Sequence, residues 1–155
     1  MSSNKVKESD LENSVQPTAI PPALGKWTAT LLSRAAQRLR DRFEERVADL
    51  GLRSKQYGVL ILLQDEPLTQ IEIARSLEVD RTTMVSLIDD LVRLELVERA
   101  PHPEDRRAHA VTLTAKGREV LEVATRAVDE VEAECLAPLS PAERTQLRHL
   151  LQQII

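Results

Sequence analysis

Apolar side chains recur every three or four residues along most of this chain, which is the period of helices that bury one face. One such stretch runs from residue 24 to residue 50 and predicts a single long amphipathic helix, with Gly51 just past its end. Ser54 is placed to cap a second helix, which reaches about residue 64 before Pro67 forces a break. The chain is therefore expected to be mostly helical.

Two well-marked helix starts follow. Thr69 and Glu72 have the spacing of a capping box, which predicts a short helix from residue 70 to about residue 76. Asp80 is a favourable N-cap for a second helix, from residue 81 to about residue 94. Glu78 and Val79 form the turn between these helices. Two helices joined by so short a turn are typical of a helix-turn-helix.

A β-hairpin is predicted next. Residues 96–99 and 109–113 alternate in character as short strands do, and the segment 101–107 between them is polar and contains proline. Such a hairpin after a helix-turn-helix is a wing. The predicted fold class is therefore mostly α with a small β-hairpin wing, a winged helix-turn-helix with N- and C-terminal dimerisation helices.

The C-terminal part is again helical. Thr114 is placed to cap a helix that reaches about residue 136, and Ser140, Pro141 and Glu143 mark the start of a last helix. The apolar stripe of this helix continues to the last residue, which predicts a second copy of the chain as its cover. Its members are Leu147, Leu150, Leu151, Ile154 and Ile155. The expected organisation is a flexible arm (1–22), a dimerisation region (23–52 and 114–155) and a DNA-binding region (53–113).

Composition supports this interpretation but charge complicates it. Of the 155 residues 42% are hydrophobic and only 2% aromatic, as expected for an Ala- and Leu-rich helical protein. No long uncharged apolar run or signal sequence is seen, and the single cysteine, Cys135, suits a reducing cytoplasm. The net charge of −4 opposes DNA binding, because affinity for phosphates is largely electrostatic. Net charge does not locate contacts, so a few well-placed arginines remain sufficient.

Residues 68–117 resemble the MarR family of bacterial transcription regulators. The likeness rests on the helix-turn-helix spacing, on Leu96-Val97-Glu98-Arg99, on Pro103-Glu104-Asp105-Arg106-Arg107 and on Leu113-Thr114-Ala115-Lys116-Gly117. The resemblance implies a homodimer of winged helix-turn-helix subunits that binds a palindromic operator in double-stranded DNA. It also implies release of that DNA by a small aromatic or phenolic effector.

Two positions depart from the family pattern. Glu95 stands where relatives have glycine at the end of the recognition helix, so a positive φ there would cost about 1 kcal/mol of strain. Val85-Ser86 replaces the common Thr-Arg, which removes a group that would read guanine or bind phosphate. The operator sequence therefore cannot be borrowed from relatives.

The candidate DNA contacts lie on the second helix of the motif and on the wing. Arg81, Thr82 and Ser86 occupy the exposed N-terminal half of that helix, the half that enters the major groove in this class, with Arg93 further along. Each of these side chains can bind bases or phosphates, so their individual roles stay open. Asp89 and Asp90 would repel phosphate, and we expect them to orient a neighbouring arginine or to stay clear.

The wing tip carries the remaining candidates. By the resemblance, Arg107 enters the minor groove, Asp105 holds its guanidinium through paired hydrogen bonds, and Arg106 serves the wing fold or a phosphate. The arginines on the outer face of the first long helix are best explained by intrahelical ion pairs, with a phosphate-facing patch as the alternative.

An effector site is a further expectation. Trp27, Phe43 and Tyr57 are the chain's aromatic residues, and all lie on the two helices that would line the family's effector crevice. Gly58 removes bulk beside Tyr57. Core packing explains the same aromatics, so both interpretations are kept.

Other functions find little support in the sequence. No nucleophile elbow, phosphate loop or paired-carboxylate motif is present, so we expect no enzyme, no catalytic residue and no cofactor. His102, Glu104 and His109 offer no tetrahedral metal site, and Cys135 is expected to pack in the core or an interface rather than sense oxidants. The main alternative is a winged-helix protein–protein adaptor, which the acidic composition makes reasonable. It would bind its partner with little dependence on salt.

Overall fold

The computed structural model describes residues 20–101 and 109–155. The described backbone divides into two units, of which the first ends at residue 35 and the second begins at residue 36. The described part of the first unit contains α1 (Pro22–Gly25) and the start of α2 (Thr28–Arg46). All the elements that follow α2 belong to the second unit.

The prediction of a single helix from residue 24 to residue 50 is wrong, because the helix is interrupted in this stretch. Lys26 and Trp27 separate α1 from α2, directly after Gly25, a residue type that favours a helix poorly. A short 3₁₀ helix (Ala48–Leu50) follows α2 and leads into Gly51, whose φ of 62° is left-handed, as expected past a helix end. Of the apolar positions in this stretch, Phe43 and Val47 are buried, whereas Leu24, Trp27 and Leu31 are exposed on the subunit. Apolar periodicity also could not show where helical hydrogen bonding stops.

The start of α3 (Ser54–Leu62) also differs from the expectation that Ser54 is its cap. Ser54 is the first residue of the helix, and its hydroxyl donates to Glu44 Oε1 at 3.0 Å. The buried side chain of Gln56 instead accepts from the backbone N–H of Arg53 at 2.9 Å. A tertiary contact to α2 thus replaces the predicted local cap.

Both helices of the helix-turn-helix begin where the sequence predicts. In α4 (Gln70–Ser76) Thr69 and Glu72 exchange the two hydrogen bonds of a capping box, of 2.8 and 3.3 Å. In α5 (Arg81–Arg93) the Asp80 carboxylate accepts from the Thr83 N–H at 2.9 Å. Hydrogen bonds from the Thr83 hydroxyl and backbone hold the pKa of the Asp80 carboxyl below its ordinary value. Both predicted caps are confirmed.

The described residues form a three-stranded antiparallel sheet rather than a simple hairpin. Its strands are β1 (Leu68–Thr69), β2 (Val97–Pro101) and β3 (His109–Leu113), in the order β1-β3-β2. The pair β2–β3 is the predicted wing, in a register that joins Val97 to Leu113 and Pro101 to His109. Strand β1 was not predicted, because two residues are too few to show alternation.

Two helices complete the chain, α6 (Ala115–Cys135) and α7 (Pro141–Gln152). Thr114 caps α6 by accepting from the Gly117 N–H at 2.9 Å, and Ser140 and Glu143 form a capping box on α7, as predicted. Leu150, Ile154 and Ile155 are exposed, so the predicted stripe of α7 presents apolar surface on the subunit. That surface is what a second subunit would cover.

The core lies within residues 36–155 and joins the end of α2, the helices α3 to α6 and the sheet. It includes Leu60, Ile73, Met84, Ile88, Leu91, Leu96, Val97 and Val111, each almost wholly buried. The inner face of α5 is thereby fixed against the rest of the subunit. Its outer face is left for other contacts.

Glu95, just after the end of α5, has a φ of 61° and is therefore in the left-handed conformation. From the sequence, strain is expected at this residue if its φ is positive. Replacing Glu95 by glycine is expected to raise the free energy of unfolding by about 1 kcal/mol, because only glycine adopts this conformation without a Cβ clash. The lost carboxylate matters little, since its 3.3 Å ion pair with Lys116 is solvent-exposed. Urea titration at fixed protein concentration measures the effect. Glu95→Ala keeps the Cβ but loses the carboxylate, so equal stabilisation by both variants would refute the strain argument.

Candidate nucleic-acid interface

The outer face of α5 is an open depression of about 440 Å³ on the subunit surface. Its lining consists of Arg81, Thr82, Val85, Ser86, Asp89 and Asp90, all from successive turns of the one helix. Met84, Ile88 and Leu91 point the opposite way and are buried. The helix is therefore held rigidly by one face while the other is open to a ligand.

Three polar side chains on this face are available for binding. Arg81, Thr82 and Ser86 are exposed, and among the described residues none of their side chains forms a hydrogen bond or an ion pair. They lie in the first two turns of α5, where the helix dipole also favours an anion. The structure thus brings together three of the four helix residues predicted to contact DNA.

The acidic residues of the same face are each neutralised by an arginine. Asp89 Oδ1 lies 2.5 Å from a guanidinium nitrogen of Arg99 on β2, and Asp90 is paired with Arg93 within α5. This is the orienting role expected for the two aspartates. Arg93, the fourth predicted contact, is therefore held beside Asp90, and its role towards DNA stays a prediction.

Sequence reasoning missed Arg99. It lies ten residues after Asp89 and on a different element, so no helical spacing connects the two. The signal available was the alternation of β2, but that alternation does not reveal which helix the strand faces. Only the packing of β2 beside α5 brings the guanidinium to the carboxylate.

The wing-tip candidates Asp105, Arg106 and Arg107 lie outside the described residues, as do His102 and Glu104. The structure does describe the base of the wing, where Pro101 pairs with His109. The three assignments therefore stay predictions.

Two of the three aromatic candidates for an effector site, Phe43 and Tyr57, contact each other. Phe43 is buried and its ring centre lies 5.2 Å from that of Tyr57, so these two pack together against the core. Trp27, in the other unit, is 60% exposed, with the Lys26 ammonium 5.3 Å from its ring centre. The Tyr57 hydroxyl lies 3.4 Å from Thr125 Oγ1.

A second cavity, of about 390 Å³, lies beside α6 and is lined by none of these aromatics. Its lining is Gln64, Leu113, Arg118, Leu121, Glu122, Thr125 and Arg126. Thr125 connects it to Tyr57. Arg118 and Arg126 are two turns apart on one face of α6, and neither pairs with a carboxylate among the described residues.

Two other kinds of site find no support in the described ranges, 20–101 and 109–155. No cluster of three or more histidine, cysteine or acidic side chains there is arranged to hold a metal ion. None of the helices there has the length and apolarity needed to span a membrane.

Comparison with known proteins gives a consistent result. A family model described as the MarR family matches residues 50–108. The HTH-type transcriptional repressor NicR of Pseudomonas putida is 31% identical over 126 residues, which cover 81% of this chain and 80% of NicR.

Solved structures agree in fold over most of the chain. The transcriptional repressor CouR bound to a 23-mer DNA duplex superposes with a TM-score of 0.79 at 32% identity, covering 88% of this chain and 99% of CouR. BpsR of Bordetella bronchiseptica, whose DNA binding is regulated by 6-hydroxynicotinic acid, gives a TM-score of 0.76 at 28% identity over 87% of this chain and 97% of BpsR.

Proposed function

The chain belongs to the MarR family of transcription regulators, and from this we propose that it is a homodimeric repressor of a palindromic operator that a small effector releases. We assign DNA binding to residues 53–113 and dimerisation to residues 23–52 and 114–155. Operator DNA in a bacterium lies in the cytoplasm, so we also keep the predicted cytoplasmic location as part of the proposal.

The open face of α5 is the observation that carries this proposal. A guanidinium and two hydroxyls stand unpaired on the N-terminal half of a helix whose other side is locked into the core. A helix of this kind enters the major groove, where such groups bind base edges and phosphates. The overall charge of −4 does not set the local charge of this face, where Asp89 and Asp90 are each paired with an arginine.

The homodimer is supported by the apolar end of the chain. Leu150, Ile154 and Ile155 are exposed on and after α7, where a second subunit would bury them. A two-fold symmetric dimer presents two recognition helices to half-sites one helical turn apart, which explains why its operator should be a palindrome.

In vitro selection from a random duplex library tests the function. We expect an inverted repeat to be enriched, and its affinity, measured by fluorescence anisotropy, to fall steeply as salt rises because phosphate contacts release counterions. A shuffled duplex is the control. Failure to enrich any duplex, together with salt-insensitive binding of a protein partner, would support the adaptor alternative instead.

Arg99→Ala is expected to weaken binding to the selected duplex by about 1 kcal/mol. The variant leaves Asp89 as an unpaired negative charge on the face that meets DNA. Adding Asp89→Asn removes that charge, so the double variant should recover most of the lost affinity. Anisotropy at one fixed salt concentration measures all three proteins. If Asp89→Asn gives no recovery, Arg99 contacts the DNA itself and the positioning role is wrong.

For the effector we propose a small aromatic carboxylate, and two placements of it are distinguishable. One uses the aromatic side chains expected from the sequence, Trp27, Phe43 and Tyr57. The other is the cavity beside α6, where Leu113 and Leu121 supply apolar surface and two unpaired arginines suit a carboxylate. Glu122 lies between those arginines and would help to orient them.

Isothermal titration with 6-hydroxynicotinic acid is expected to give heat with the native protein. If the cavity holds the effector, Arg118→Ala and Arg126→Ala should each weaken binding about tenfold, since each removes a charge-assisted hydrogen bond. Trp27→Ala should then leave the heat unchanged. The reverse pattern would place the effector at Trp27, and the same heat in all four proteins would exclude both placements.

A further inference from the structure

Val85 is the apolar side chain among the residues that line the open face of α5. It is 40% exposed, while the other five residues that line this face are polar or charged. The buried residues of α5 are Met84, Ile88 and Leu91. Val85 is not among them, so the exposed part of its side chain can meet a ligand, and as a β-branched residue it favours the helix less than alanine would.

Its neighbours define what it would meet in a complex. Val85 follows Arg81 by four residues and Thr82 by three, so it shares a stripe of the helix with both. When the first turns of α5 lie in the major groove, this stripe faces the bases. A valine side chain has no donor or acceptor, so it gains nothing from a phosphate.

We propose that Val85 is a specificity-determining residue that packs against the C5-methyl group of a thymine in each operator half-site. This inference rests on the proposed function and identifies one feature of the DNA that the function requires. Thymine is the base that carries an apolar group on its major-groove edge. The other bases present donors and acceptors there, which Val85 would strip of water without replacing their hydrogen bonds.

Removal of single methyl groups from the DNA tests the proposal on the whole 155-residue chain. In the duplex obtained by selection, each thymine is replaced in turn by deoxyuridine, which deletes only the C5-methyl. We expect one symmetric pair of positions at which the native protein loses about fourfold in affinity for each methyl removed, as for the exposure of one buried methyl group. Other thymines should show little change.

The Val85→Ala variant tests whether the response to methyl removal depends on Val85. It should bind the unmodified duplex more weakly than the native protein does, and it should show no further loss when the two critical thymines become deoxyuridine. Val123→Ala on α6 is the matched control, because Val123 is 42% exposed and lies outside the face of α5. This control should keep the native response to methyl removal. Thermal melting is expected to show both variants folded.

The outcomes separate this inference from the function on which it rests. If no duplex is enriched, the proposed DNA-binding function itself fails. If a duplex binds but no thymine methyl matters, or if Val85→Ala keeps the native methyl dependence, the assignment of Val85 is overturned while the function stands. Loss of the methyl dependence in Val85→Ala but not in Val123→Ala supports it.

Discussion

Gly117→Ala is expected to lower the free energy of unfolding by about 2–3 kcal/mol, the cost of forcing an extra methyl group into a packed site. A Cβ at Gly117 would lie 1.9 Å from the carbonyl oxygen of Leu96 and 2.9 Å from its carbonyl carbon. That carbonyl is backbone and accepts from the Thr114 N–H at 3.1 Å, so it cannot rotate away. The first turn of α6 would have to move off the start of β2.

The sign of the change in the free energy of unfolding distinguishes two opposite predictions. Gly117 lies inside a helix, where alanine is otherwise favoured over glycine by about 1 kcal/mol. Helix propensity alone therefore predicts a more stable protein, and the close approach to Leu96 predicts a less stable one. Urea unfolding at one fixed protein concentration decides between them, the concentration being held constant because dimerisation contributes to stability.

Gly58→Ala is the matched control. Gly58 is also helical, in α3, and a Cβ there would come within 3.1 Å of Leu77 Cδ2, the end of a flexible side chain. The free energy of unfolding of this variant should change by no more than about 1 kcal/mol, because the close contact with Leu77 and the gain in helix propensity oppose each other. Equal effects of the two substitutions would show that the approach of α6 to Leu96 is not what requires glycine.

Arg107→Ala is expected to weaken operator binding by roughly 1–3 kcal/mol. The family resemblance implies that this arginine would enter the minor groove, where narrow A·T-rich steps concentrate the negative potential, and that Asp105 would hold its guanidinium. Lysine is more strongly hydrated and lacks the planar fork, so Arg107→Lys should restore only part of the affinity. Gel-shift titration at fixed salt measures the three proteins.

The sequence of the DNA provides the control for that prediction. Replacing A·T pairs beneath the wing by G·C pairs should weaken the native protein but leave Arg107→Ala unaffected, since the variant no longer senses groove width. Arg106→Ala, which removes a group assigned to the wing fold or to a phosphate, should keep the native preference for A·T. Binding by Arg107→Ala that equals native binding would refute the assignment.

The residues of the site that could be predicted from the sequence all lie on one helix whose start is marked by its cap. Arg81, Thr82 and Ser86 were identified because Asp80 fixes the first residue of α5 and the helical period then fixes its outer face. Val85 follows Arg81 by four residues, so the same helical period places it on this face. The structure adds the extent of its exposure, 40%, beside the buried Met84 and Ile88.

The helix starts at Thr69, Asp80, Thr114 and Ser140 could be predicted from the sequence, because each cap is made between residues three positions apart. So could the two wing strands and the family. Tertiary structure alone decided the pairing of β1 with β3, the neutralisation of Asp89 by Arg99, and the contact of Gly117 with Leu96. These interactions join residues ten or more positions apart, so they form only when folding brings different segments of the chain into contact.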